Sequence, residues 1–173
     1  MPKSLKPGTT LQDLFLMKIQ ALYDIEQEII KALPKMAQKA GNIELKKGLQ
    51  EHLEETRKQV ERLEQIFGIL GQRPQKLKVE AIRGIVEDAK WVMSHVKDAK
   101  ALDASIIAAA QYVEHYEMAG YGTAKEWADM LGLDEARDLL EDTLEEEKSA
   151  DEKLNDIAVS EVNPEVETGP EEE

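Results

Sequence analysis

The fold that the sequence predicts is all-α: a four-helix bundle of two antiparallel hairpins, joined by one long crossover that contains a fifth, shorter helix. Three observations predict it. The composition is 42% hydrophobic and 34% charged with only 5% aromatic residues, and its abundant Ala, Leu, Glu and Lys favour helices over sheets. Apolar residues recur at helical spacing in four long stretches. Turn residues leave short gaps within each pair of stretches and one long gap between the pairs. At 173 residues the chain fits one domain, which buries about two-thirds of the surface its unfolded form exposes.

The first helix is expected from Thr9 or Thr10, whose hydroxyl can cap free amides, to about Ala40, where Gly41 and Asn42 stop it. Pro34 removes one hydrogen bond inside it and predicts a bend near Ile30. The second helix runs from about Ile43 to Leu70 and is ended by Gly71, Arg73 and Pro74. A long connection from Gly71 to Ala101 follows. It holds a shorter helix over roughly Val79 to Val96, with Ile82, Ile85, Val86, Trp91 and Val92 as its apolar residues. The third long helix spans about Leu102 to Met130. After the Gly132 turn, the fourth runs from Asp134, read as its cap, to about Ala158. Residues 1–8 form an N-terminal arm and 9–158 the bundle. Residues 159–173 hold six Glu and no Lys or Arg, which predicts a disordered acidic tail.

There is no cysteine, so any metal must be held by oxygen and imidazole. The N-terminus lacks the apolar run of a secretory signal, and nowhere do about 18 apolar residues follow one another. A cytoplasmic protein is expected. The net charge of −14 argues against nucleic acid and anionic membranes as partners, since both carry the same sign.

Projection at 100° per residue places carboxylates inside the apolar stripes. Glu26 lies at the centre of the stripe of Phe15, Ile19, Leu22, Ile29, Ile30 and Leu33. Glu114 is central among Ile107, Ala110, Met118 and Tyr121, with Glu117 one turn on, toward the edge. Glu147 is central among Ala136, Leu140, Thr143, Leu154 and Ala158, with Asp151 one turn on. In the second helix His52 falls on the stripe of Leu45, Leu49, Thr56, Leu63 and Phe67, and Glu55 lies toward its edge. A single Glu in such a place is ordinarily a rim residue whose stem packs while its head reaches water. A lone His is ordinarily a core residue, here bonded to Glu55 or Thr56. Three stripe-centred carboxylates call for a shared cause, because a buried ionised carboxylate is costly unless paired, neutralised or bound to a cation. Carboxylates with an imidazole suit iron or manganese. His115 is expected to face outward or to support a ligating carboxylate. Tyr23, Tyr116 and Tyr121 are candidates for core packing, the ordinary account of a buried aromatic, or for redox roles near a metal, and Gly120 and Gly122 for close backbone approach.

Four segments together resemble the YciF-like bacterial stress proteins of the ferritin-like superfamily: Tyr-Asp-Ile-Glu-Gln at 23–27, His-Leu-Glu-Glu-Thr at 52–56, Gln-Tyr-Val-Glu-His-Tyr-Glu at 111–117 with Gly-Tyr-Gly-Thr at 120–123, and Glu-Glu-Lys-Ser-Ala-Asp at 146–151. The resemblance covers about residues 9–158. It implies a ferritin-like four-helix bundle with a di-metal centre, usually a homodimer, associated with stress responses. With a donor set that suits iron or manganese, the leading expectation is a protein of two such ions that oxidises iron or handles dioxygen or peroxide. By that resemblance Glu26, His52, Glu55, Glu114, Glu117, Glu147 and Asp151 are the ligand candidates. One departure stands out. Di-iron bundles place Glu-x-x-His on two helices, whereas here the second helix reads His-x-x-Glu and the fourth has no histidine. The rival expectation is a non-enzymatic structural or adaptor bundle, dimeric and acidic, with its inward carboxylates protonated or bonded to Tyr, Thr and Gln111.

Overall fold

The structure, a computed structural model, describes residues 9–167; the N-terminal arm at 1–8 and the last six residues of the expected tail lie outside the described residues. Helix α1 spans Leu11–Lys39 and α2 spans Ile43–Ile69. The crossover helix α3 is Glu80–His95, followed by α4, Ala99–Met130, and α5, Asp134–Ile157. The α1–α2 and α4–α5 hairpins pack through α2 against α5 and α1 against α4, and α3 lies across α1 and α4. This is the predicted topology.

Capping chemistry sets the boundaries. The Thr10 side chain accepts from the Asp13 amide while Asp13 accepts from the Thr10 amide, a capping box that satisfies two otherwise free donors. Asn42 and Asp98 accept from Leu45 and Ala101. Because Asp98 provides that cap, α4 begins three residues before the expected Leu102. Gly71 and Gly132 adopt positive φ, and the amide pairs Gly71 to Gly68, Gln72 to Phe67, Gly132 to Asp129 and Leu133 to Ala128 close two Schellman turns. Asp134 is not a cap. Leu133 occupies that position without a side-chain bond, and Asp134 instead meets Arg137 at 2.9 Å.

Long-range polar contacts fix the connections. Asp103 on α4 accepts from the Gly41 and Asn42 amides, both at 2.8 Å. Buried Asp24 on α1 accepts from the Val79 amide at 2.9 Å and from Arg83 at 2.6 Å, which pins the crossover helix to the first hairpin. Only part of α3's apolar set turns inward: Ile82 is buried, whereas Trp91 is exposed and stacks on His95. Gly120 lies where an added Cβ would come within 2.9 Å of the Leu22 Cδ2, while a Cβ on Gly122 would meet nothing. Close approach therefore holds for one glycine of the two.

The stretch read as the start of a disordered tail is partly helical. Ala158–Val162 forms a π-helical turn and Asn163–Glu167 a short helix, α6. Val162 is buried, and Asn42 donates to Glu161 at 2.9 Å. One apolar anchor among the glutamates carries this segment onto α4.

Candidate metal centre

The inward faces of the four long helices meet at one cluster. Glu26 from α1, His52 from α2, Glu114 and Glu117 from α4, and Glu147 from α5 are all buried, with Glu26, Glu117 and Glu147 completely so. Glu114 and Glu117 share a face because three residues make nearly one helical turn. The His52 Nε2 lies 3.4 Å from a Glu114 oxygen and 3.8 Å from a Glu147 oxygen. One donor atom from each of His52, Glu114, Glu117 and Glu147 falls within 4.8 Å of all the others.

The remaining candidates stand at the edge. Glu55 is two-fifths exposed and 3.6 Å from the His52 Nδ1. Asp151 accepts from the Gln111 Nε2 at 3.1 Å and lies 3.4 Å from the ring of His115, itself largely exposed. Glu117, expected near the rim, is instead as deep as Glu26.

A second layer supports the cluster. Tyr121 donates to Glu26, so its ring is more than packing. The Tyr23 hydroxyl, farther out, donates to Glu64 at 2.8 Å while its ring meets Phe67 edge-on. Gln59 is completely buried and donates to Glu146 at 3.1 Å, and Arg62 makes a two-bond fork to the same carboxylate at 2.6 Å. Gln59 lies seven residues from His52 on the same helical face, the one signal in the sequence that marks it as inward. The Arg62–Glu146 pair joins distant parts of the chain and leaves no local signal.

Electrostatics make the cluster costly as it stands. Burial pushes the carboxyls of Glu26, Glu114 and Glu117 well above their ordinary range, and their mutual charges add to this. Burial also raises Glu147, against a counteracting pull from His52. For His52, burial works to lower the pKa, but the Glu55 and Glu147 carboxylates outweigh it and raise it.

The donor set fits a metal. Among the described residues, every buried side-chain nitrogen or oxygen without a hydrogen-bond partner belongs to Glu26, His52, Glu114, Glu117, Glu147 or neighbouring Gln59. Buried polar groups are nearly always paired, so orphans concentrated at one point mark a place where a cation can complete the coordination. Oxygens with one imidazole are donors suited to iron or manganese.

Residues 10–167 match the family described as a domain of unknown function, DUF892. The chain belongs to that family. This DUF892 chain is 39% identical over 159 residues to protein YciF of Escherichia coli strain K12, covering 91% of this chain and 96% of YciF. The crystal structure of that E. coli stress protein superposes with a TM-score of 0.86, covering 90% of this chain and 98% of YciF. YcfI of Rhodopseudomonas palustris, described provisionally as a structural protein, is 46% identical with a TM-score of 0.85, over 88% of this chain and 98% of its own. A two-domain protein from Anabaena variabilis with DJ-1/ThiJ/PfpI-like and ferritin-like domains matches at 17% identity and a TM-score of 0.63, over 96% of this chain and 41% of that one. That likeness concerns the fold alone, and it agrees with the ferritin-like bundle. The resemblance to YciF-like stress proteins is borne out.

Proposed function

We propose that this protein holds two iron or manganese ions among α1, α2, α4 and α5 and serves a bacterial stress response by oxidising iron or handling dioxygen or peroxide. The observation that carries this reading is the set of orphaned donors at the centre of the bundle. Glu26, His52, Glu114, Glu117 and Glu147 would hold the ions, with Glu55 and Asp151 completing the set from its edge. Four core carboxylates and a neutral imidazole match the charge of two divalent cations, which offsets the repulsion that burial imposes on them. Such a pair of ions supplies Lewis acidity and single-electron chemistry toward an oxygen or peroxide substrate.

The chain's own residues orient and shield. Tyr121 fixes one oxygen of Glu26 and leaves the other free. Arg62 and Gln59 restrain Glu146 beside Glu147. We read the protein as a cytoplasmic homodimer without nucleic-acid or membrane partners. The charge of −14 weighs against nucleic acid and anionic membranes as partners, and among the described residues no helix is long and apolar enough to cross a membrane.

The structural reading draws support from the provisional description of the Rhodopseudomonas relative. It requires the inward carboxylates to be protonated, which their raised pKa values allow, or satisfied by hydroxyls and amides. Only Glu26 and Asp151 gain such bonds, from Tyr121 and Gln111. Thr56 and Thr143 donate to the backbone oxygens of His52 and Leu139 instead. Elemental analysis of untagged protein purified without chelator tests the choice. About two iron or manganese ions per chain, lost in Glu147→Ala, is the expected result. No metal, even after reconstitution with ferrous iron or manganese, would favour the structural reading.

A further inference from the structure

A cavity of about 130 Å³ lies between α2 and α5 on the His52 side of the centre. Its inner wall includes His52 and Glu114. Its outer wall includes Glu51 and Lys153, an ion pair that spans the two helices. The space has room for a few water molecules and is too small for an organic metabolite. Small residues keep it open, with Gly48 on α2 and Ser149 and Ala150 on α5. A Cβ on Gly48 would stand 3.6 Å from the Lys153 Cε and 4.0 Å from the Ile157 Cδ1, so a long side chain at 48 would fill the mouth.

The deep end presents unsatisfied donors. His52 and Glu114 are each more than nine-tenths buried, and both ring nitrogens of His52 and the Glu114 Oε2 lack a partner. Glu55, lining the same cavity, stands between these groups and the surface. A cation moving inward would therefore exchange water for protein oxygen at each stage. A second crevice that touches Glu114, between α1, α3 and α4, measures about 20 Å³ and, Lys35 and Lys90 apart, is walled by apolar residues such as Ile29, Met36, Ile85 and Met93. A dication shedding water there would meet apolar walls and two lysines before it reached Glu114, which is costly.

We infer that divalent cations enter the centre through the α2–α5 cavity, passing from Glu51 and Glu55 at the mouth to His52 and Glu114 within, while the Lys153 charge restrains their entry. This route rests on the metal-centre reading, and the two can fail separately. Metal-free wild type, Gly48→Leu and Lys153→Gln are mixed with manganese(II) ions at low ionic strength. Loss of the free-ion electron paramagnetic resonance signal gives both the loading rate and the end point. Gly48→Leu is expected to load roughly tenfold more slowly and Lys153→Gln roughly threefold faster, as the mouth becomes more negative, with all three reaching one stoichiometry. Loading of Gly48→Leu at the wild-type rate overturns the route and leaves the centre standing. An unchanged or slower rate in Lys153→Gln overturns the role of that charge and, with it, the α2–α5 mouth as the way in. Wild type that binds no manganese overturns the centre and the route together. Lys153 lies at the surface, so its variant still tests the route if Gly48→Leu fails to fold.

Discussion

Tyr121 of α4 reaches across the bundle and donates its phenolic proton to Glu26 of α1, both side chains lying inside the protein. Burial, together with the charges of Glu26 and Glu117, pushes the phenol's pKa well above its ordinary value, so it remains a donor. The bond couples the two hairpins at the level of the candidate centre and sets which Glu26 oxygen faces it.

Tyr121→Phe removes that donor and leaves a carboxylate oxygen buried without a partner. The metal-free protein should lose about 1–3 kcal/mol of stability, read from urea unfolding. Metal affinity should fall by about 10- to 100-fold, as when a ligand loses its supporting bond. An equal loss of stability with unchanged metal affinity would reduce Tyr121 to a purely structural role.

The buried carboxyls give the metal-free protein an unusual pH response. Their folded pKa values stand above the ordinary carboxyl value of 4.5, so the folded state binds protons that the unfolded state has released. The stability they contribute is fully present below 4.5 and is lost as pH rises through the raised folded values. His52, also raised, acts in the same direction. Asp24 is buried, yet Arg83 and the Val79 amide hold it below its ordinary 3.8, so its opposite effect falls below this window. The metal-free melting temperature should therefore rise as pH falls from about 8 to about 5. Metal-loaded protein should show the reverse trend, because ligand protonation competes with metal. Differential scanning calorimetry of both forms across that range checks the two signs.

Local chemistry made most of the architecture legible in the sequence. Thr10 with Asp13, Asn42, Gly71 and Gly132 act within a few residues of themselves, and each marks a boundary where it stands. Helical projection also found Glu26, Glu114 and Glu147, because a stripe's centre stays buried whatever packs on it. It placed Glu117 too near the rim, since projection treats a helix as having one buried side. In fact α4 packs against α1, α3 and α5 at once, which widens its covered face. Asp24 with Arg83 and Arg62 with Glu146 join residues far apart in the chain, and no local pattern announces such pairs. Val162 could have flagged the helical start of the tail, but the surrounding glutamates hid it.

Gly120 and Gly122 offer a paired test of packing. Ala is worth about 1 kcal/mol more than Gly inside a helix, so Gly122→Ala, with open space around its Cβ, should stabilise by about that amount. At Gly120 the new methyl would press on Leu22, which has no exposed surface, and overpacking costs about 1–3 kcal/mol. Gly120→Ala should therefore be less stable than Gly122→Ala by at least about 1 kcal/mol, read from chemical denaturation. Equal gains at both positions would mean that α1 and α4 separate freely at this point.

Glu117→Gln separates function from stability most directly. Neither Glu117 oxygen has a partner, and burial followed by the charge of Glu26 raises its pKa. A neutral amide of the same shape removes that repulsion and can donate toward Glu26. At neutral pH the metal-free variant should be more stable than wild type by about 1–3 kcal/mol. Metal should act in the opposite sense. At a hundredfold excess over the dissociation constant, binding stabilises wild type by about 2.7 kcal/mol, which for a domain of this size raises the melting temperature by about 5–10 °C. The variant, short of one carboxylate ligand, should gain less than half of that shift. A variant stabilised without metal and insensitive to it, beside a wild type with the reverse behaviour, would mean that the bundle retains these carboxylates for the cations they hold.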